Sequence, residues 1–390
     1  MIFRTLRLAL LSAGAVAAWA ATAPAQDAYV VGISAALTGR GSGTYAPVVE
    51  AIKIYLDRLN AKGGINGHPV KLVVQDNQAQ PSRAGADAKK FVGQDDLILV
   101  MNASLSSTYA PMVAELRKAG MPLLFAGGVC PKEVFPPADK LQFCTTSYAA
   151  DLDSEFAMHF VKEVEKRNVK LGFAAMSIPL SRAGINRAAE VAESLGMTTV
   201  DKENIPPPTP NYAPFATKLK DAGAEWVFSW APWVTQIKTF EALRALGWQG
   251  KFLSYGHINA EEELARVKDD GFFVFGANAM FQDDLPIHRE IRAAAKAAGA
   301  KFPATYLAEG WIAAMALEQV LSKVSWPPSR DKVIAAMNGI EIDLKGLRGA
   351  SLKWTAENHF RTAMHHRVYR WDSGKRSVVR VKDWSEKIIK

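Results

Sequence analysis

The feature that most constrains the fold is a regular alternation of short apolar runs with amphipathic helix patterns. Apolar runs such as "YVVGISAAL" and "LILVMNA" are separated by segments whose apolar residues recur at helical spacing. Residues 45–61, for example, place four side chains on one stripe: Val48, Ile52, Tyr55 and Leu59. Because parallel strands need crossover connections of this length, the pattern predicts an α/β fold, with parallel sheets flanked by helices.

The same pattern begins again in the second half of the chain. There, "DLDSEFAMHFVKEVEKR" is a predicted helix, "VKLGFAAM" a strand and "KFLSY" a later strand. Residues 286–338 are mostly helical in pattern, and the chain ends in strands around "ASLKWT" and "MHHRVYRW". A chain of 390 residues is longer than one core usually supports, so we predict two α/β domains of similar build.

The first residues have the pattern of an export signal. Arg4 and Arg7 precede the apolar stretch "LALLSAGAVAAWA", and Ala23 and Ala25 form the small-residue site that signal peptidase cleaves. The apolar stretch is too short to span a bilayer as a stable helix. We predict a signal peptide at residues 1–25, a mature chain that starts near Gln26, and a periplasmic location.

The charge pattern argues against a nucleic-acid partner. The formal net charge is +8, and the basic residues are spread along the chain. The one basic concentration, "HHRVYRWDSGKRSVVRVKDW", alternates like a strand pair and is interrupted by Asp372 and Asp383. Nucleic-acid binding requires a clustered basic face. A mildly basic protein suits an anionic small molecule or an anionic membrane surface.

The two cysteines, Cys130 and Cys144, are predicted to form one disulfide, because an even and sparse count is typical of exported proteins. A cross-link over a loop of this length stabilises a fold by roughly 3 kcal/mol in the chain-entropy model. A metal pair or a nucleophilic thiol is the alternative, but neither has partners nearby in the sequence.

The Gly-rich loop "TGRGSGTY" fits no cofactor motif. A dinucleotide fingerprint that begins at Gly39 has Thr44 where its last glycine belongs, and a phosphate loop would end in Gly-Lys-Ser/Thr. A nucleophile elbow would place a glycine two residues before Ser42, where Arg40 stands. A tight turn without a binding role remains the alternative for this loop.

No catalytic or metal-binding constellation is recognisable elsewhere. His359, His365 and His366 cluster in the sequence, but a strand directs residues 365 and 366 to opposite faces, so we interpret them as surface residues and not zinc ligands. The acidic pairs 269–270 and 283–284 have no identifiable facing partner. We therefore expect no enzyme activity, no cofactor and no metal.

The loops that follow the predicted strands are rich in small, hydroxyl and aromatic residues. They include "TGRGSGTY", "NASLSST", "AGGVCP", "SIPLSRAG", "WAPWVT" and "SYGHIN". Ligands of parallel sheets bind beyond the carboxyl ends of the strands, and helix N-termini in such loops favour an anion or a carbonyl oxygen. Two sets of these loops, one per domain, predict a two-domain clamp around a small molecule.

Three stretches in order resemble one known family. They are residues 31–92 with their "LN…GGING" run, then "IPPPTPNYAPFATKLKDAGAEWVFSW", and finally "TYLAEGWIAAMALEQVL". Together they are similar to the periplasmic solute-binding proteins of ABC importers, in the branch of the leucine/isoleucine/valine-binding proteins. Each motif alone is modest, but the resemblance runs over nearly the whole chain after the leader.

The resemblance implies a type I periplasmic binding fold of two Rossmann-like lobes. Three crossovers, near Thr146, Gly276 and Asn358, would divide the chain into lobe 1 (residues 26–146 and 277–358) and lobe 2 (residues 147–276 and 359–390). It implies capture of a small-molecule ligand by hinge closure and delivery to a membrane permease by a monomer, without covalent chemistry. A ligand-sensing domain and an exported α/β hydrolase are the alternatives.

The resemblance also carries over a set of ligand-binding positions. From lobe 1 they are Thr44, Tyr45, Ser104, Leu105, Ser106, Gly128 and Val129; from lobe 2, Ser181, Arg182, Trp233, Tyr255 and His257; and from the late helix, Tyr306. The chain departs from the family pattern at several of these. Leu105 and Val129 replace expected hydroxyl residues, and Ser181 replaces a tyrosine. Gly256 and His257 follow "KFLSY", where an acidic residue is expected.

The missing acidic residue predicts the kind of ligand. A buried ammonium group costs several kcal/mol unless a carboxylate or several acceptors meet it, and His257 can donate as readily as accept. We therefore expect a carboxylate on a planar or apolar body, such as an aromatic acid, at the helix start near Ser104, with Arg40 or Arg182 at the cleft mouth. The alternative is an amino-acid or amide ligand whose ammonium is held by Glu309.

Overall fold

The chain forms two separate β-sheets, each covered by helices on both faces. The structure is a computed structural model that describes residues 28–256 and 260–389. Within these ranges it contains a five-stranded sheet, a seven-stranded sheet and a two-stranded ribbon. The predicted signal peptide lies outside the described residues. No helix in the described ranges combines the length and the apolar character that crossing a membrane would require.

The first sheet is entirely parallel and has the order β2-β1-β3-β4-β5. Its strands are β1 (Tyr29–Ala35), β2 (Val70–Asp76), β3 (Leu97–Ala103), β4 (Leu123–Phe125) and β5 (Gln142–Cys144). β1 and β3 are buried along their whole length. This burial explains why both read as continuous apolar runs and do not alternate.

Helices from two distant parts of the chain cover the first sheet. One face holds α1 (Ser42–Asn60) with the later helices α9 (Pro286–Ala298), α10 (Ala308–Leu321) and α11 (Arg330–Met337). The other face holds α2 (Pro81–Val92) and α3 (Tyr109–Lys118). α10 crosses α1 so closely that a Cβ at Gly310 would lie 2.2 Å from the carbonyl oxygen of Val48. Glycine is therefore required at this crossing.

The second sheet has the order β14-β13-β10-β9-β8-β6-β7. Its strands are β6 (Lys170–Met176), β7 (Thr198–Ile205), β8 (Trp226–Ser229), β9 (Lys251–Tyr255), β10 (Phe272–Gly276), β13 (Ala363–Asp372) and β14 (Ser377–Ile388). Five strands are parallel, as predicted, but β13 and β14 pair in antiparallel fashion with β10 and with each other. The basic C-terminal stretch is thus the predicted strand pair.

Five helices cover the second sheet. α4 (Ala150–Glu165) and α5 (Pro179–Ser194) pack on one face; α6 (Ala213–Asp221), α7 (Trp233–Ala245) and α8 (Ala260–Val267) pack on the other. A small ribbon of β11 (Glu341–Ile342) and β12 (Leu352–Lys353) packs beside α10.

The chain passes between the two sheets three times. The first passage follows β5, the second follows β10, and the third precedes β13. The predicted disulfide is confirmed: Cys130 and Cys144 are bonded, with 5.8 Å between their Cα atoms. It joins the loop after β4 to the end of β5, directly before the first passage. Thr146 in that passage donates a hydrogen bond to the Gly128 carbonyl at 2.6 Å.

Candidate functional site

A small cavity, which we call the inner cavity, lies at the carboxyl ends of strands from both sheets. On the side of the first sheet it is lined by Tyr45, Ser106 and Val129, and Tyr148 of the first passage completes that side. On the side of the second sheet it is lined by Ile178, Leu180, Ser181, Trp230, Ala231, Pro232 and Tyr255. This is where an open parallel sheet places its ligands.

A second cavity, the outer cavity, adjoins the inner one and shares Pro232 with it. The Gly-rich loop and Leu105 form its wall on the side of the first sheet. Its opposite wall is formed by Met176, Pro206–Pro208, Thr209, Tyr212, Trp233, Val234, Thr235 and Ile237. The Gly-rich loop of residues 39–44 is therefore one wall of a cavity and not an isolated turn.

The two cavities differ greatly in size. The inner cavity has a volume of about 20 Å³, and the outer cavity about 470 Å³. A single water molecule needs roughly 10–15 Å³ on this measure, and cavities for small molecules usually have about 300–1,000 Å³. The inner cavity thus holds one water at most, and its walls have to separate before a ligand can enter.

Ser106 provides an unpaired polar group at the inner cavity. Its Oγ is buried and has no hydrogen-bond partner in the described ranges. Ser106 lies in the 3-10 turn Ser106–Thr108, which runs into α3, so the positive end of a helix dipole is close to it. None of the side chains that line the inner cavity is acidic or basic. Hydroxyl and helix N–H groups without a nearby carboxylate favour an anionic or neutral polar group.

The rest of the inner cavity is largely aromatic. The rings of Tyr148 and Tyr255 meet edge to face with 5.0 Å between their centroids, and Trp230 lies 6.2 Å from Tyr255. Burial raises the pKa of Tyr45, Tyr148 and Tyr255, so all three keep their protons at neutral pH. The Tyr255 hydroxyl is hydrogen-bonded to the Ser147 hydroxyl at 3.1 Å, which connects the cavity wall to the first passage.

A buried carboxylate holds Trp230 from behind. Asp153, in the first turn of α4, accepts hydrogen bonds from Trp230 Nε1 at 3.0 Å and from the Ala149 backbone at 2.9 Å. Its other oxygen lies 2.8 Å from His366 Nε2 on β13. Burial raises the pKa of Asp153, and the hydrogen bond to His366 opposes that rise. Asp153 already has three partners, one of them His366, so it is not a free counter-ion for an ammonium group.

Eight of the residues expected to bind the ligand meet at these two cavities. Tyr45, Ser106, Val129, Ser181 and Tyr255 line the inner cavity, and Thr44, Leu105 and Trp233 line the outer one. Arg40, expected near the cleft mouth, is exposed and also lines the outer cavity.

Four of the expected residues lie elsewhere. Ser104 is buried behind its loop and donates to Asn77 Oδ1 at 2.9 Å. Gly128 packs against Tyr109, whose hydroxyl would lie 2.2 Å from an added Cβ, so glycine is needed there for space. The exposed side chain of Arg182 donates to Ser177 Oγ, and Tyr306 lines neither cavity. His257 lies outside the described residues.

The sequence interpretation missed most of the residues that line the inner cavity on the side of the second sheet. Trp230 is the first residue of the loop "WAPWVT", in which the resemblance pointed to Trp233 as the ligand-binding residue. Ile178 and Leu180 lie on either side of Pro179, the first residue of α5. Tyr148 lies in the first passage, outside every loop considered. A signal for Trp230 existed, because it directly follows β8, as ligand-binding residues of parallel sheets do.

Glu309 is not available to bind a ligand. Its carboxylate is 3.0 Å from Arg348 Nη2, and the two side chains are 1% and 2% exposed. Asn278 bridges them, because it donates to Glu309 and accepts from Arg348 Nε at 2.8 Å. Arg348 also donates to the carbonyl of Thr145. The idea that Glu309 holds an ammonium group in the cavity is therefore wrong for this structure.

The interpretation of the three histidines as surface residues is wrong for two of them. His359 is buried, with Nδ1 2.9 Å from the Gln142 carbonyl and Nε2 3.0 Å from Asn338 Oδ1, and its burial lowers its pKa. His366 is buried against Asp153. His365 is half-buried, with Nε2 3.8 Å from Glu386. In the described part of the chain, no three His, Cys, Asp or Glu side chains form a group that could hold a metal ion.

A larger cavity, of about 780 Å³, lies away from this site. It is at the amino-terminal ends of β1 and β3, between Lys71, Asp95 and Arg330. Arg330 donates there to the backbone carbonyls of Leu97 and Ala119. Because parallel sheets bind ligands at the opposite edge, we place the site at the inner and outer cavities despite their smaller size.

Comparison with known proteins gives one family match over most of the chain. The sequence profile described as "Periplasmic binding protein" matches residues 28–376. The Leu/Ile/Val-binding protein homolog 3 of Brucella melitensis biotype 1 is 24% identical over 229 residues, which are 57% of this chain and 60% of that protein. The matched region thus spans less than two thirds of this relative.

Two solved structures share the fold over nearly their whole length. A branched-chain amino acid ABC transporter protein of Thermus thermophilus, solved with bound valine, is 17% identical, with a TM-score of 0.80 over 92% of this chain and 97% of that chain. A solute-binding protein of an ABC transporter from Rhodopseudomonas palustris BisB5, in complex with 3,4-dihydroxybenzoic acid, is 16% identical, with a TM-score of 0.79 over 93% and 98%. At these identities, the likeness concerns the fold.

Proposed function

Since this chain belongs to the periplasmic binding protein family, we propose that it captures a carboxylate on an aromatic or apolar body for delivery to an ABC permease. The predicted family and the type I fold of two parallel α/β units are confirmed. The ligand, the site residues and the division into lobes are our proposals.

The lining of the inner cavity carries the choice of ligand. The valine-bound and the dihydroxybenzoate-bound structures resemble this chain almost equally, so the fold does not choose between an amino acid and an aromatic acid. The cavity offers an unpaired Ser106 hydroxyl for a carboxylate, and flat aromatic walls for a ring. It offers no charged side chain for an ammonium group among the described residues, because Asp153 and Glu309 are paired.

We propose that the ligand enters by separation of two lobes, which are residues 26–146 with 277–358 and residues 147–276 with 359–390. The inner cavity of about 20 Å³ supports this proposal, because a benzoate-sized ring does not fit without movement of the walls.

The family also supports export, and we propose cleavage of the leader near Ala25. Mass spectrometry of the exported chain should find Gln26 near its N-terminus; retention of Trp19 would contradict the cleavage site.

Titration calorimetry with benzoate, a hydroxycinnamate, phenylalanine and leucine tests the ligand class. We expect saturable binding of the aromatic acids and a melting temperature that rises with their concentration. Binding of leucine at micromolar concentration, without binding of either aromatic acid, would contradict the proposal and favour the amino-acid alternative. The family is one of solute-binding proteins, and we propose that the chain hydrolyses no ester or amide. An exported hydrolase would instead show turnover when an ester or amide is added to the same protein samples.

A further inference from the structure

The outer cavity is large enough to hold part of a ligand, and its walls are mainly apolar. Its volume of about 470 Å³ is within the range of small-molecule sites. Leu105, Met176, Ile237 and the proline run of residues 206–208 form much of its surface. The charged side chain at its edge is the exposed guanidinium of Arg40.

The outer cavity lies beside the inner one, and residues adjacent in the chain line the two. Pro232 lines both, and consecutive residues line one cavity and then the other: Leu105 the outer and Ser106 the inner. The pair Thr44 and Tyr45 repeats this arrangement on α1. Once the walls of the inner cavity have separated, a molecule with one end at Ser106 would therefore extend past Pro232 toward the outer cavity.

Trp233 lines the outer cavity and carries an unsatisfied polar group. The residue is 5% exposed, and its Nε1 is buried without a hydrogen-bond partner anywhere in the described ranges. Buried N–H groups are almost always paired, because an unpaired one loses its hydration without compensation. Because Nε1 is closed off from the cavity in this conformation, an acceptor oxygen on a bound molecule would satisfy this donor once the walls have moved.

We propose that the outer cavity is a second compartment of the ligand site, which takes the apolar or aromatic substituent of an elongated aryl carboxylate. The carboxylate lies at Ser106, the first ring lies between the aromatic walls of the inner cavity, and an acceptor oxygen in the substituent meets Trp233 Nε1. This inference rests on the proposed function, since the aryl carboxylate in the inner cavity fixes the direction of the substituent.

Three probes of graded shape test the compartment by calorimetry on the purified chain. Benzoate fills only the inner cavity, 4-phenoxybenzoate adds a second ring through an ether oxygen, and 4-benzylbenzoate replaces that oxygen by a methylene group. We expect 4-phenoxybenzoate to bind at least about tenfold more tightly than benzoate, as burial of one more ring permits. We expect 4-benzylbenzoate to bind severalfold more weakly than 4-phenoxybenzoate, because it lacks the acceptor.

Substitution of Gly43 closes the compartment without disturbing its surroundings. Gly43 lines the outer cavity, and a Cβ added there meets no atom within 4 Å. Gly43→Phe should lower the ratio of the 4-phenoxybenzoate and benzoate affinities toward one, and Gly43→Ala should lower it much less. Trp233→Phe should remove the difference between the two elongated probes, whereas Trp326→Phe, at the far end of the first sheet, should retain it.

The outcomes separate this inference from the proposed function. Equal affinities for benzoate and 4-phenoxybenzoate, or an undiminished ratio in Gly43→Phe, would overturn the compartment while the aryl-carboxylate proposal stands. An ether preference that survives Trp233→Phe would overturn the role of Nε1. Absence of binding for all three probes, together with binding of leucine, would overturn the proposed function itself.

Discussion

At the scale of single residues, the loops around the site depend on glycines for different reasons. An added Cβ at Gly128 would lie 2.2 Å from the Tyr109 hydroxyl and 2.7 Å from the Ser104 carbonyl, whereas one at Gly43 has open space around it. Gly128→Ala should therefore lower the free energy of unfolding by about 1–3 kcal/mol, measured by urea denaturation. Gly43→Ala, in the first turn of α1, should leave it equal or slightly higher. Equal stability of the two variants would show that the loop relaxes freely.

The same comparison shows what sequence reasoning can and cannot assign to a residue. The resemblance directed attention to Ser104, Ser106, Gly128 and Val129 together, because they lie in ligand-binding loops. Of these four residues, Ser106 and Val129 line the inner cavity, and Ser104 and Gly128 do not. Which residue of a short loop faces a ligand depends on packing behind the loop, such as the Ser104–Asn77 hydrogen bond, and no local pattern encodes that contact.

At the scale of the elements, α9 contains a pH-sensitive start. His288 is buried, its Nδ1 accepts a hydrogen bond from the Leu285 backbone, and its ring stacks on Phe281. Burial lowers the pKa of His288 from 6.5 to about 4; the positive charge of Arg292 adds to the effect, while Asp283 and Asp284 oppose it.

The folded chain thus favours neutral His288, whereas the unfolded chain takes up a proton near pH 6.5. The stabilisation is complete above pH 6.5 and is lost as the pH falls toward 4, by about 3 kcal/mol in total. His288→Gln keeps an acceptor for the Leu285 N–H but cannot titrate in this range. As the pH falls from 7 to 4, the native chain should lose unfolding free energy relative to His288→Gln. The exposed His159→Gln serves as control; the same pH dependence in all three proteins would contradict the assignment.

Most elements were predictable because their periodicity is strong. β3 has the predicted bounds, and α1 begins only three residues before the predicted start. The missed elements β5, α8 and β10 have three, eight and five residues. β5 lies in a proline-rich loop, where the pairing with β4 decides the conformation and local propensity does not.

At the scale of the whole molecule, the three passages meet at one buried polar cluster. Arg348 donates to Thr145 in the first passage and to Asn278 after the second; Arg361, in the third, donates to Thr146. Burial, together with the charge of Arg348, lowers the pKa of Arg361 to about 9. We propose that the two lobes move about this cluster while its hydrogen bonds stay intact.

Glu309→Gln would leave the Arg348 charge buried without its partner, so we expect a loss of about 3–5 kcal/mol in the free energy of unfolding. Combining it with Arg348→Met should restore part of the stability, because the uncompensated charge is then removed. Denaturant unfolding gives these values, and small-angle scattering with and without benzoate reports lobe closure. Unchanged stability in Glu309→Gln would contradict the role of the buried Glu309–Arg348 pair. An unchanged scattering curve with a confirmed ligand would contradict the proposed lobe movement.

The strand order also dictates when the molecule can become complete during its synthesis. The first sheet has all its strands by residue 144, but α10, which covers it together with α1, begins at Ala308. The second sheet lacks β13 until Asp372 and β14 until Ile388 has been made. A nascent chain therefore carries a first sheet without its full helical cover until α11 ends at Met337, and a second sheet without its last strand until Ile388. If the chain is exported, as we propose, this order keeps its fold incomplete while the polypeptide is carried across a membrane.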